Sequence, residues 1–197
     1  MRSLPTLLTI LRIAAAPVVA GLVLWAHAST FTEGPAFSAT LYGFAAALFV
    51  LAALTDALDG WLARKLGVVT PFGAALDHSA DKVLVAATLV VLSYALFPLP
   101  MVIAAAILVV REFAVAGLRE ALSASGRALP VSSIGKLKAF AEMVALALWL
   151  VIPALPEASA QLLDLLYAAA QGLVWFAVAL ALWSGASYVR AAIDQRT

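Results

Sequence analysis

Cysteine is absent from the 197 residues of this chain. Its absence excludes disulfide bonds, thiolate metal sites and cysteine nucleophiles. Charged side chains are also scarce, at 12% of the residues, whereas soluble domains carry about 25%. The formal net charge is only +1, and this near balance gives no reason to expect nucleic acid or another polyanion as a partner.

Apolar residues fill the place of the missing charges, at 65% of the chain. So apolar a chain cannot cover itself with polar surface, and the lipid bilayer is therefore its expected solvent. We expect an all-α, polytopic membrane protein, with residues 1–197 forming a single integral membrane domain. A bilayer core about 30 Å thick needs around 20 apolar residues per helix. Six stretches meet this length: about 7–26, 39–58, 78–97, 100–120, 137–155 and 161–189.

The basic residues predict the orientation of these six spans. Most of them fall in the ends and loops of one side: Arg2, Arg64, Lys65, Arg119, Arg127, Lys136, Lys138, Arg190 and Arg196. The opposite loops, near 27–38, 97–100 and 154–160, contain no Lys or Arg. The positive-inside rule then places both termini in the cytoplasm, as expected for a bacterial-type inner membrane protein.

Four aspartates stand at the cytoplasmic ends of the second and third spans. Asp56 and Asp59 are three residues apart, and Asp77 and Asp81 are four apart, so each pair occupies one face of a helix. Antiparallel packing of the two helices would bring both faces together, and four carboxylates so close repel one another unless cations intervene. Two divalent cations would balance the four negative charges, and oxygen ligands suit Mg²⁺ or Mn²⁺.

The residues among these aspartates favour phosphoryl chemistry. Gly60 and Gly73 have no side chain to block a phosphate or a ribose, Arg64 is a nearby cation, and Thr70 is a candidate hydroxyl donor. Two metal ions beside an arginine suit an in-line displacement, in which both the attacking and the leaving oxygen need stabilisation.

Two alternatives explain the acids differently. They could be helix ends at the membrane interface, although intramembrane acids are costly and usually functional. They could instead be the permeation site of a cation transporter, although transport sites lie near the bilayer midplane, whereas these acids gather at one edge beside Arg64 and Lys65.

The same segment resembles the signature of the CDP-alcohol phosphatidyltransferases, D-x2-D-G-x2-A-R-x8-G-x3-D-x3-D, at all of its fixed positions. These positions are Asp56, Asp59, Gly60, Ala63, Arg64, Gly73, Asp77 and Asp81. The resemblance implies a fold of six transmembrane helices, usually paired as a homodimer, with a di-metal centre and a site for the CDP group.

Individual roles follow from this resemblance. The implied ligands of the two divalent cations are Asp56, Asp59, Asp77 and Asp81. The last of these, Asp81, is shared between metal binding and the base that takes the proton of the alcohol. The implied CDP-binding positions are Gly60, Arg64, Thr70 and Gly73.

Two further stretches are similar to the phosphatidylglycerophosphate synthase branch of the family. They are LPTLLTILRIAAAP at residues 4–17, where Thr9 and Arg12 are possible supporting residues, and REFAVAGLREALSASGRALPVSSIGKLKAF at residues 111–140. This similarity implies transfer of a phosphatidyl group from CDP-diacylglycerol to sn-glycerol 3-phosphate, giving phosphatidylglycerophosphate and CMP. Inositol phosphate, serine, or phosphatidylglycerol in cardiolipin synthesis are the alternative acceptors, and Glu142 stands where this branch usually has Gln.

Four basic residues are candidates for binding the acceptor phosphate: Arg111, Arg119, Lys136 and Lys138. They come from two neighbouring spans, and Arg111 lies well inside the membrane, where a dianionic phosphate would give a cation a reason to be. Structural alternatives stay open at this stage. Arg119 and Lys138 would also serve as positive-inside anchors, and Arg111 would also pair with Glu112 or another buried acid.

The remaining aromatic residues are interpreted as structural. Trp25, Trp149 and Tyr188 fit the belt of amphipathic rings that membrane proteins place at the lipid–water interface.

Overall fold

The computed structural model describes residues 4–66, 71–124 and 133–194, with side chains for residues 9–55, 80, 82–124 and 133–190. Within these ranges the chain is helical and contains no strand. The expected all-α fold of six helices is confirmed. The helices are α1 (Leu4–Thr32), α2 (Pro35–Leu66), α3 (Pro71–Ala95), α4 (Leu99–Ala124), α5 (Ser133–Val151) and α6 (Ala160–Asp194). A single 3-10 turn, Ile152–Ala154, follows α5.

Most of these helices are long and apolar enough to cross a bilayer. Among the described residues, five stretches qualify: Thr9–Thr32, Pro35–Thr55, Leu99–Ala124, Ser133–Ala154 and Ala160–Arg190. The part of α3 with described side chains adds a shorter apolar stretch, Lys82–Ala95. The chain is therefore a membrane protein.

The connection between α1 and α2 is short and has clear sequence signals. Gly34 has φ +93°, a left-handed conformation that favours glycine and ends a helix. Its N–H donates to the carbonyl oxygen of Ser29 over 3.1 Å, so a free end of α1 is satisfied. Pro35 then begins α2, where the missing N–H of proline costs nothing.

Side-chain hydroxyls join α1 and α2 next to this connection. Ser38 is 4% exposed, and its Oγ donates to the carbonyl oxygen of Ala26 over 2.8 Å. The hydroxyls of Ser38 and Thr30 also lie 2.8 Å apart. The rings of Trp25 and Phe37 meet edge to face, with centroids 5.9 Å apart. Polar and aromatic contacts together hold the two helices antiparallel.

The helical backbone does not stop at the aspartates. Asp56 and Asp59 lie inside α2, which continues to Leu66, and Asp77 and Asp81 lie inside α3. The helices are thus longer than the apolar spans predicted from the sequence. The reason is that a helix satisfies its backbone hydrogen bonds internally and can extend past the apolar stretch into polar surroundings.

The described residues divide into two compact units. The first contains α1, α2 and α3, together with the stretch Leu146–Tyr167. In this unit α1 packs against both α2 and α3. The second contains α4, the part of α5 up to Ala145, and α6 from Ala168. Both α5 and α6 contribute residues to each unit.

We expect Ser38→Ala to lower the stability of the α1–α2 pair by about 1 kcal/mol, because a buried interhelical hydrogen bond is lost. Thermal unfolding of the purified protein in detergent measures the change. Thr40→Ala is the matched control, since the Thr40 hydroxyl is exposed and bonds only within its own helix, to Ala36. Equal melting temperatures for the two variants would contradict the assigned contribution.

Candidate functional site

The signature aspartates occupy two helices of the first unit. Asp56 and Asp59 are one turn apart in α2, and Asp77 and Asp81 are one turn apart in α3. Gly60 and Arg64 also belong to α2, and Gly73 to α3, whereas Thr70 lies outside the described residues. The side chains of these residues are outside the described part of the chain, so their roles stay predictions. The helical spacing on which the predictions depend is confirmed.

The two supporting candidates of α1 are buried in the same unit. Thr9 is 3% exposed and Arg12 is 1% exposed, and each takes part in an interaction. Burial of a guanidinium requires compensation by nearby polar groups. Arg12 therefore belongs to the interior of the unit and not to its solvated end.

A second group of charged residues lies in the other unit, around the ammonium group of Lys138 in α5. Lys138 is 1% exposed. Its Nζ lies 2.5 Å from Glu112 Oε1 and 2.5 Å from Glu142 Oε2. Glu142 is itself 3% exposed. Two carboxylates thus enclose one ammonium group in an apolar setting, where such pairs need close geometry to persist.

Arg111 of α4 extends this group towards α6. Its Nη1 donates to Glu112 Oε1 over 2.8 Å, which is the structural pairing that the sequence left open. The other guanidinium nitrogens reach α6: Nη2 donates to Ser184 Oγ over 2.7 Å, and Nε donates to the carbonyl oxygen of Ala181 over 3.2 Å. All three nitrogens of Arg111 therefore have partners within the protein.

Arg119 lies two turns further along α4 and contacts a tyrosine of α6. Its Nη2 donates to the hydroxyl of Tyr188 over 2.7 Å, and its Cζ lies 4.9 Å from the centre of the Tyr188 ring. The Nε of Arg119 is buried and has no hydrogen-bond partner among the described residues. Arg119 therefore has an N–H available to a ligand.

The structure brings three of the four predicted phosphate-binding residues together. Arg111 and Lys138 share Glu112, and Arg111 and Arg119 share the ring of Tyr188, which lies 5.9 Å from Arg111 Cζ. Lys136 is exposed near the start of α5 and is not part of this group. With three cations and two carboxylates in it, the group has one excess positive charge, and Arg119 is the cation that lacks a carboxylate partner among the printed contacts of the described residues.

The belt interpretation of two aromatic residues is wrong. Tyr188 is 5% exposed and Trp149 is 2% exposed, and Tyr188 contacts arginine instead of lipid. Trp149 packs edge to face on Tyr167, with ring centroids 5.4 Å apart. An amphipathic ring suits both a lipid interface and a polar interior, so residue type alone did not distinguish them. Trp25, which is 57% exposed, fits the predicted belt.

Sequence reasoning assigned no role in this group to Ser184 or Tyr188, and it named Glu142 only as a departure from the subfamily pattern. The spacing of Ala181, Ser184 and Tyr188 was the available signal, because residues separated by three and four positions share one face of a helix. That face packs on α4, where the arginines are.

Metal ions are best matched by the signature aspartates. Among the described residues there is no group of three or more His, Cys, Asp or Glu suited to hold a metal ion. The four aspartates, whose side chains fall outside that search, offer only carboxylate oxygens, and this donor set fits Mg²⁺ or Mn²⁺.

We expect Lys138→Met to destabilise the protein by about 3–5 kcal/mol, because it leaves two buried carboxylates without their shared cation. Thermal unfolding in detergent measures this loss. Lys136→Met is the matched control on the same helix and should leave the melting temperature nearly unchanged. Combining Lys138→Met with Glu142→Gln should recover part of the loss, and a Lys138→Met variant as stable as the control would contradict the assigned ion pairs.

Comparison with known proteins identifies the family of this chain. Residues 2–183 match the family model of the CDP-alcohol phosphatidyltransferases. The CDP-diacylglycerol--glycerol-3-phosphate 3-phosphatidyltransferase of Bacillus subtilis (strain 168) is 40% identical over 150 residues, which cover 74% of this chain and 75% of that protein. The enzyme of the same name from Rickettsia bellii (strain RML369-C) is 36% identical over 96% of this chain and 94% of its own length.

A plant protein with a different activity is also similar. The cardiolipin synthase (CMP-forming) of Oryza sativa subsp. japonica is 36% identical over 95% of this chain. The aligned region is only 56% of the length of that protein. With nearly the whole sequence inside the family match, the chain belongs to the CDP-alcohol phosphatidyltransferase family.

Proposed function

We propose that this enzyme transfers the phosphatidyl group of CDP-diacylglycerol to sn-glycerol 3-phosphate, giving phosphatidylglycerophosphate and CMP. The observation that carries the proposal is the convergence of Arg111, Arg119 and Lys138 inside a membrane-embedded unit. Buried cations need anionic partners, and the two glutamates of this group balance only two of the three. A phosphorylated acceptor fits the excess charge better than serine does.

The names of the relatives support this acceptor. The B. subtilis and R. bellii proteins are both named as transferring to glycerol 3-phosphate, and the second aligns over nearly its full length. The chain also has the basic residues that this acceptor requires.

The contacts suggest different tasks for the basic residues. Lys138 and Arg111 are held by Glu112, Glu142 and Ser184, and we assign to them the shape and charge balance of the site. Arg119 retains a free Nε–H, and we assign to it the direct contact with the acceptor phosphate. Lys136, which is exposed, is suited to attract the anion from solution.

The chemistry itself is assigned to the aspartates. We propose that Asp81 accepts the proton of the acceptor's primary hydroxyl, whose oxygen attacks the β-phosphorus of CDP-diacylglycerol while CMP departs. Asp56, Asp59, Asp77 and Asp81 would hold two divalent cations, which when bound supply charge stabilisation to the pyrophosphate. Gly60, Arg64, Thr70 and Gly73 would hold the CDP group.

The membrane setting suits this reaction. The donor has acyl chains that stay in the bilayer, whereas the acceptor is water-soluble, so the reaction belongs at the membrane boundary. We propose that the aspartates and both termini face the cytoplasm, in agreement with the distribution of Lys and Arg in the sequence. The single domain and the homodimer stay predictions; the sharing of α5 and α6 between the two units supports the single domain.

Cardiolipin synthesis is the second candidate, because the rice cardiolipin synthase is similar over 95% of this chain. In that reaction the acceptor is phosphatidylglycerol, a lipid. The two candidates share the donor and release the same nucleotide, so only the acceptor distinguishes them.

We expect purified protein supplied with CDP-diacylglycerol and a divalent cation to release CMP only when sn-glycerol 3-phosphate is added. The measurement is CMP release with each of four acceptors: glycerol 3-phosphate, inositol 1-phosphate, serine and phosphatidylglycerol. The lipid product identifies the reaction. Release with phosphatidylglycerol alone would favour the cardiolipin synthase, and ion flux without CMP release would favour a transporter.

Removal of divalent ions should stop turnover, because the clustered carboxylates would then repel one another and the pyrophosphate. The assay is CMP release in excess chelator, followed by titration with Mg²⁺ or Mn²⁺. Asp59→Asn should raise the metal concentration needed for half-maximal rate, whereas Asp164→Asn, at an exposed position of α6, should leave it unchanged. Full activity in excess chelator would rule out the di-metal site.

A further inference from the structure

Tyr188 is the residue of α6 that both arginines of α4 contact. Arg119 donates a hydrogen bond to its hydroxyl over 2.7 Å, and the guanidinium carbons of Arg119 and Arg111 lie 4.9 and 5.9 Å from its ring centre. Cations at such distances are attracted by the negative face of an aromatic ring. With 5% of its surface exposed, the tyrosine has little freedom to move.

The contact restricts Arg119 in a specific way. Arginine has a long side chain with several rotatable bonds, and fixing it costs conformational entropy. In this structure one end of the guanidinium group is bonded to Tyr188, while the Nε–H is buried without a partner among the described residues. The donor is therefore already oriented before a ligand arrives.

The neighbouring face of α6 is fixed in turn by Arg111. Ser184, one turn before Tyr188, accepts a hydrogen bond from Arg111 Nη2 over 2.7 Å. Ser184 itself donates to the carbonyl oxygen of Leu180 over 2.7 Å. The backbone segment that presents Tyr188 is thus attached to α4 at a second point, independent of Arg119.

We infer that Tyr188 is a positioning residue for acceptor recognition, holding Arg119 so that its open N–H meets the phosphate of the acceptor. The inference rests on the proposed function and deepens it, since Tyr188 would set the affinity for the phosphorylated alcohol and leave binding of the nucleotide donor unchanged. Tyr188 acts through Arg119 and does not itself contact the substrate.

Tyr188→Phe is the informative variant, because it removes the hydroxyl and keeps the ring. We expect it to raise the KM for glycerol 3-phosphate roughly tenfold, as expected for loss of one hydrogen bond to a charged group, with the KM for CDP-diacylglycerol unchanged. Tyr188→Leu, which also removes the ring, should raise the acceptor KM further. Both are measured by CMP release, with thermal unfolding to establish that the variants are folded.

The matched control is Tyr167→Phe, the same chemical change on the same helix, which should leave both KM values unchanged. A second test places Tyr188→Phe in an Arg119→Ala background. If the tyrosine acts through the arginine, its hydroxyl should have no further effect on the acceptor KM once the guanidinium is absent.

The outcomes separate this inference from the function on which it rests. Active wild-type enzyme whose acceptor KM is unaffected by Tyr188→Phe would overturn the positioning role alone. Equal increases in both KM values, or an undiminished effect in the Arg119→Ala background, would do the same. A wild-type enzyme that releases no CMP with glycerol 3-phosphate would overturn the proposed function, and the role of Tyr188 with it.

Discussion

The ammonium group of Lys138, enclosed by Glu112 and Glu142, is the interaction on which the second unit depends. Each of these three charges would be costly in an apolar interior if it were alone. Together they balance, and Glu112 also neutralises Arg111, which in turn bonds to α6. One buried arrangement thus joins α4, α5 and α6 and determines which positive charge remains for a ligand.

Much of the architecture could be predicted from the sequence. Runs of about 20 apolar residues indicate spans because only a helix satisfies its backbone hydrogen bonds within lipid, and this constraint identified all six helices. Their ends were less predictable. Leu66 and Pro71 bound the helices that carry the aspartates, well past the apolar residues, since a helix continues in polar surroundings without a hydropathy signal.

The candidate site could be predicted only in part. The spacing of Asp56, Asp59, Asp77 and Asp81 is a local property of the sequence, so the motif was visible directly. The contact between Tyr188 and Arg119 joins residues far apart in the chain, and it depends on how α6 is rotated against α4. No local pattern reports such a rotation. The same is true of Lys138, whose neutralisation by Glu142 was one of many possible pairings.

The unbroken backbone of α2 through Asp56 and Asp59 has a further consequence. A loop at this place would lose conformational freedom whenever a nucleotide bound, and part of the binding energy would be spent on ordering it. In a helix the peptide groups are already fixed, so occupancy requires only rotamer adjustment. Such a rigid platform favours rapid exchange of one reaction's leaving nucleotide for the next lipid donor.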